Sequence, residues 1–181
     1  MLRIALITIL VLSGYLYLKN NDHGVINLIA DTKKPEATLS LNYSETMINV
    51  LKSESIKYDD ESVYIVNFWA SWCSPCMREL PSMNRLIDSF NGKKLKIITI
   101  NSDYDDQEMH IAKTKKNLGL KFPIISDKKG AYVGKFNVEG LPVTMIFKKD
   151  QLIEKINGEV DFDSKDFRKK IDQLLESSKS N

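Results

Sequence analysis

Two cysteines occur among the 181 residues, and they stand three positions apart in Cys73-Ser74-Pro75-Cys76. At that spacing two helical side chains share a face, so the sulfurs can close a disulfide or part as two thiols. The pair follows an apolar, β-branched run and opens a helical one, which sets Cys73 at a helix N-terminus. There the unpaired backbone N–H groups and the positive end of the helix dipole can lower a thiol pKa from ~8.5 into the range of ~3.5–7.5. Cys73 is therefore the expected attacking thiolate and Cys76 its resolving partner. Pro75 suits the first turn, where its missing N–H leaves no bond unmade. Two other uses of the pair are weaker. A zinc site needs two further ligands, and the only histidines are His23, in a polar stretch, and His110, on a separate helix. A purely structural disulfide would close a loop of four residues, the low end of the length dependence that makes such cross-links stabilising.

Hydrophobic periodicity outlines the elements that must position this pair. Val63 to Phe68 (VYIVNF) and Leu95 to Ile100 (LKIITI) read as buried strands. Between them, from about Cys73 to Phe90, Leu80, Met83, Leu86, Ile87 and Phe90 recur at helical spacing. Strand, helix, strand predicts a right-handed parallel unit. Asp105 to Leu118 predicts a second helix closed by Gly119. Phe122 to Ile125 predicts a short strand, and Asp127-Lys128-Lys129-Gly130 a turn. Val143 to Phe147 and Leu152 to Ile156 predict an antiparallel hairpin. Ser164 then caps a helix with Phe167, Ile171, Leu174 and Leu175 on one face. Ahead of all these, Ala37 to Leu41 alternates and predicts a short strand, followed by a short helix carrying Met47, Val50 and Leu51. The sum is an α/β sandwich, a mixed central sheet flanked by helices.

The N-terminal run Ile4 to Leu18 is uncharged and apolar, flanked by Arg3 and Lys19. Counted from Leu2 it has seventeen residues, at the lower limit of ~17 for a membrane span. No A-x-A-like cleavage site follows it, and Tyr15 and Tyr17 sit where an interfacial aromatic belt would. The expectation is an uncleaved signal-anchor helix over 1–19, its N-terminus in the cytoplasm, then a tether over 20–35 and one domain over 36–181. Tyr15 stands where a lipoprotein would carry its acylated cysteine, which excludes lipid attachment there. Apolar residues are 43% and charged residues 28% of the chain, ordinary globular values. Lys plus Arg number 26 against 24 Asp plus Glu, and Arg3 and Lys19 account for the difference. The balanced remainder has no basic field, so nucleic-acid binding is set aside.

Phe68-Trp69-Ala70-Ser71-Trp72-Cys73-Ser74-Pro75-Cys76 resembles the active-site strand and turn of the thioredoxin superfamily. Arg78-Glu79-Leu80-Pro81, with Met83 and Leu86, narrows the likeness to the membrane-tethered TlpA/ResA-like thiol-disulfide oxidoreductases, which include those of cytochrome c maturation. Phe122-Pro123-Ile124 with Asp127 resembles that family's central insertion, and Val138-Glu139-Gly140-Leu141-Pro142-Val143-Thr144 its cis-proline loop. The likeness spans about Tyr64 to Leu175. Three features depart from it: Met77 replaces the usual Arg or Lys, Lys149-Asp150 lacks the common glycine, and residues 36–62 lack the usual Gly-Lys turn.

The resemblance implies a thioredoxin fold with a TlpA/ResA-type central insertion and a cofactor-free enzyme exchanging disulfides with extracytoplasmic protein substrates. It favours the reducing direction, a membrane thiol-disulfide electron donor as redox partner, and a place on the bacterial cytoplasmic membrane with the catalytic domain outside. A disulfide oxidase or isomerase is the nearest alternative. A thiol-dependent peroxidase would place a threonine-containing loop before its cysteine, and a copper metallochaperone of related fold spaces its cysteines one residue wider.

Roles for individual residues follow from the same likeness. An X-Pro bond is cis in only ~5–6% of cases, but the resemblance implies a cis bond before Pro142, leaving the Leu141 backbone to pair with an extended substrate. Trp72 is expected as a partly exposed lid over the sulfurs, with a core position as the alternative, and Trp69 as core. Asn67 stands where many thioredoxins bury a proton-accepting aspartate behind the resolving cysteine, and an amide cannot titrate. Glu79, three residues after Cys76 and on its face of the helix, is the expected proton acceptor; the alternative is a solvated carboxylate complementing the helix N-terminus.

Overall fold

The computed structural model describes residues 35–177, with side chains from Tyr43 onward. The expected anchor, nearly all of the expected tether, and His23 lie outside the described residues. The chain divides between Leu39 and Ser40, and the fold is that of the second unit. Among the described residues no helix is long and apolar enough to cross a membrane.

Five strands, β1 (Val63–Trp69), β2 (Leu95–Asn101), β3 (Ile124–Ser126), β4 (Val143–Lys148) and β5 (Gln151–Asn157), form one sheet in the order β3-β2-β1-β4-β5. β1 runs parallel to β2 and antiparallel to β4. Every residue of β1 is buried, as its continuous apolar run requires of a central strand. Its side chains alternate between the two faces of the sheet. Ile65 and Trp69 join the core beneath α2 (Ser74–Ser89) and α5 (Lys165–Glu176), among Leu80, Met83, Leu86, Phe167 and Ile171. Tyr64, Val66 and Phe68 join the opposite core, with Tyr43, Met47, Val50 and Leu51 of α1 (Pro35–Ser53). By that alternation Asn67 points to the α2 side, and its register sets it opposite Thr144 of β4 and Thr99 of β2.

Ser164 caps α5 by accepting from Phe167 N at 3.3 Å. Gly119 ends α3 (Gln107–Leu118) in the left-handed region, φ 58°, a conformation that a side chain would disfavour. One expectation is corrected and one is extended. No strand forms at Ala37–Leu41: one continuous helix, α1, runs through it from Pro35. A proline at a first helical position is pre-set for that geometry, and the 3- and 4-residue spacing of Tyr43, Met47, Val50 and Leu51 extends the apolar face that the core covers. The turn at Asp127–Gly130 is a 3-10 segment that leads into a further short helix, α4 (Ala131–Lys135). Asp127, 1% exposed, organises it by accepting from Tyr132 N at 2.7 Å and Val133 N at 2.9 Å. β3 and α4 occupy the stretch where the resemblance places its central insertion.

Candidate active site

β1 delivers the chain to the site at Trp69. After a short turn Cys73 takes the N-cap position of α2 in an extended conformation, with Ser74 and Pro75 as the first helical residues. Its sulfur accepts from Cys76 N at 3.3 Å, which satisfies one of the orphan donors of a helix start. The two sulfurs are 2.03 Å apart, joined as a disulfide. Cys73 is 5% exposed and Cys76 fully buried, so the sulfur that a partner can reach is that of Cys73.

The end of β2 clamps this turn. Ser71 donates to Asp103 Oδ1 through both its backbone N and its hydroxyl, each at 3.0 Å. Asn101 Nδ2 holds the other Asp103 oxygen at 2.8 Å. With the Ser71 hydroxyl hydrogen committed to Asp103, the 3.3 Å contact to His110 Nδ1 is a donation from the imidazole. His110 is thereby tied to the turn. Among the described residues no group of three His, Cys, Asp or Glu side chains is placed to hold a metal. Trp69 is buried, its Nε1 donating to Thr99 Oγ1 at 3.2 Å. Trp72 is 58% exposed and stacks on Tyr104 with ring centroids 6.2 Å apart. Together they wall a cleft of about 410 Å³ whose other apolar lining is Val133, Val138 and Leu141.

Glu79 lies one turn along α2 from Cys76 and is 2% exposed, so it is not a solvated surface carboxylate. Asn67 Nδ2 donates to its Oε1 at 2.8 Å and Val160 N to its Oε2 at 2.9 Å. The same Asn67 amide donates to Thr144 Oγ1 at 3.1 Å. Burial pushes the Glu79 pKa up to about 7, against the pull of these two donors, and the charge of Glu159 adds to the rise. The amide that cannot titrate is thus the group that positions one that can.

The peptide bond between Leu141 and Pro142 is cis. Pro142 O accepts from Gly158 N at 2.9 Å, while neither the N–H nor the C=O of Leu141 has a backbone partner among the described residues. Sequence reasoning missed Tyr104, Asp103 and Val160. An aromatic alone in the polar stretch Ser102–Asp106 is a signal for Tyr104, whereas Val160 contributes only its main chain, which no residue type announces.

A redox pair at the start of the helix behind the central strand of this sheet defines the class: a thioredoxin-fold thiol-disulfide oxidoreductase. The AhpC/TSA family pattern matches residues 32–156, and the chain belongs to that family. It is 34% identical over 119 residues to the thiol-disulfide oxidoreductase ResA of a Bacillus cereus strain, covering 65% of this chain and 67% of that relative. Sporulation thiol-disulfide oxidoreductase A of Bacillus subtilis (strain 168) is 31% identical over 93 residues, 50% of this chain and 56% of the relative. The fold is shared with the crystal structure of StoA from Bacillus subtilis (TM-score 0.52, 24% identity, 65% of this chain and 83% of that one). It is shared also with the solution structure of a putative thioredoxin from Neisseria meningitidis (TM-score 0.59, 23% identity, 67% and 80%).

Proposed function

We propose that the Cys73/Cys76 pair reduces disulfides in extracytoplasmic protein substrates, apocytochrome c among the candidates, and is recharged by a membrane thiol-disulfide electron donor. The observation that carries the exchange chemistry is the buried Glu79, poised near neutrality one turn behind the resolving cysteine, while the likeness to the ResA relatives supports the reducing direction. The Cys73 thiolate attacks a substrate disulfide, forming a mixed disulfide and releasing one substrate thiolate. Cys76 then gives its thiol proton to Glu79 and attacks Cys73 Sγ. The second substrate thiolate leaves and the Cys73–Cys76 disulfide closes, two electrons having passed to the substrate. A carboxylate with a pKa of about 7 is matched to that transfer at neutral pH. The free Leu141 main chain supports strand-like pairing with an extended substrate beside the cis-Pro142 bond, and the Trp72–Tyr104 wall offers it an apolar surface. The apolar segment 1–19 acts as a single-pass anchor in a bacterial cytoplasmic membrane and 20–35 as a tether that holds the domain 36–181 on the outer side.

Insulin reduction with dithiothreitol, together with the equilibrium reduction potential, tests the reading. Turnover of insulin and a potential near that of thioredoxin, about −270 mV, are expected. A potential above about −180 mV would make the protein an oxidase or isomerase instead. Peroxide consumption or tight copper binding without insulin turnover would replace the reading altogether.

A further inference from the structure

Four residues along one side of α2 are bonded to the same short stretch of chain between β5 and α5. Arg78 Nε donates to both carboxylate oxygens of Glu159 at 3.1 Å. Glu79 accepts from Val160 N at 2.9 Å, Ser82 Oγ from Phe162 N at 3.1 Å, and Arg85 Nε donates to Asp163 Oδ2 at 2.8 Å. Residues 159–163 therefore lie along α2 as a strap, and Phe162, fully buried against Phe167, fixes its middle. The first two rungs are adjacent in both chains: Arg78 and Glu79 on the helix, Glu159 and Val160 on the strap. The outer rung is an exposed ion pair, its side chains 59% and 38% accessible. Such exposed pairs add little to global folding stability, so the effect of this one is local. Its place beside the Val160 bond makes that local effect fall on Glu79.

We propose that the Arg78–Glu159 ion pair is the latch of this strap, holding the Val160 N–H on the Glu79 carboxylate and water off it, which makes Arg78 and Glu159 positioning residues of the thiol-disulfide exchange. The latch rests on the reading of Glu79 as the acceptor of the Cys76 proton. After each resolution Glu79 must return that proton to water, and the strap, not the buried β1 side, is where water enters when the latch opens.

The charge acting on Glu79 is that of Glu159 from the strap, to which Arg78 of its own helix is bonded; the titratable Cys76, one turn back on that helix, is held in the disulfide of the oxidised chain. β1 and β4 present the uncharged Asn67 and Thr144. Opening the strap removes one donor, which raises the proton affinity of Glu79, and admits water, which lowers it. Burial is the largest cause of the raised value and water replaces the lost donor, so hydration wins and the affinity falls. Charge alone would act differently. Arg78→Met would bare an anion and raise the affinity, while Glu159→Gln would remove the anion and lower it.

The test uses the full oxidised chain, following the Glu79 carboxyl carbon by NMR titration and Val160 amide exchange, with the pH profile of mixed-disulfide resolution measured beside them. In both Arg78→Met and Glu159→Gln the Glu79 midpoint should fall by about one pH unit, a tenfold loss of proton affinity, and Val160 exchange should quicken by about tenfold. The exchanged pair Arg78→Glu with Glu159→Arg should restore Val160 protection. Midpoints moving in opposite directions, or unmoved midpoints with unmoved Val160 exchange, would overturn the latch while leaving Glu79 as proton acceptor. A wild-type Glu79 that does not titrate between pH 5 and 9 would overturn both.

Discussion

Glu79 carries a charge in a place that burial makes costly, and that cost should be measurable as stability. Its carboxyl is raised from 4.5 to about 7 in the folded protein, so between these values the folded state binds more protons than the unfolded one. The sign follows: stability is fully present below the unfolded pKa and falls as pH rises through about 7. The shift of some 2.5 units, the difference between those two values, corresponds to about 3 kcal/mol. Urea unfolding of the oxidised protein at pH 5 and pH 8 should show a loss of this order that Glu79→Gln lacks. The same variant should resolve mixed disulfides more slowly near pH 7 and lower the pKa of at least one cysteine, since a carboxylate disfavours a thiolate nearby. The cysteine roles are separable as well. Because Cys73 is the more exposed and sits at the helix start, iodoacetamide should alkylate it much faster than Cys76 at pH 7 and below. Cys76→Ser should accumulate mixed disulfides, and preferential labelling of Cys76 would reverse the assignment.

The elements of the fold contribute unequally to the site. β1 supplies Asn67 on its α2 side, α2 and its N-cap supply Glu79, Cys76 and Cys73, and the loop just after β2 supplies the Asp103 clamp. α1 supplies no site residue; it seals the opposite face of the sheet with Met47 and Leu51, each 1% exposed. Leu51→Ala should therefore cost about 2–5 kcal/mol in chemical denaturation, the range for truncating a buried leucine, while insulin turnover per folded molecule stays unchanged. A loss of turnover out of proportion to unfolding would mean that α1 also bears on the site.

For the molecule as a whole, the proposed anchor and the described domain make separate predictions. A chain held by residues 1–19 should keep its N-terminus and stay with membranes through a high-salt wash. Recovery of a soluble form beginning after residue 18 would remove the anchor without touching the chemistry of the domain.

The cysteine pair, the strands and helices around it and the Ser164 and Gly119 caps were legible in the sequence, because each depends on a local signal: spacing, hydrophobic period or a capping residue. The first half of α1 and the whole of α4 were not, since Ala37–Leu41 is too short and mixed to declare its period and α4 is organised by the buried carboxylate of Asp127. For Glu79 the sequence left a choice between a solvated carboxylate and a proton acceptor. Only the tertiary structure removed the first, by folding Asn67, twelve residues back, and Val160, eighty-one residues on, around it. A carboxylate's proton affinity is set by what excludes water from it and what donates to it, and those neighbours meet only when the chain is folded.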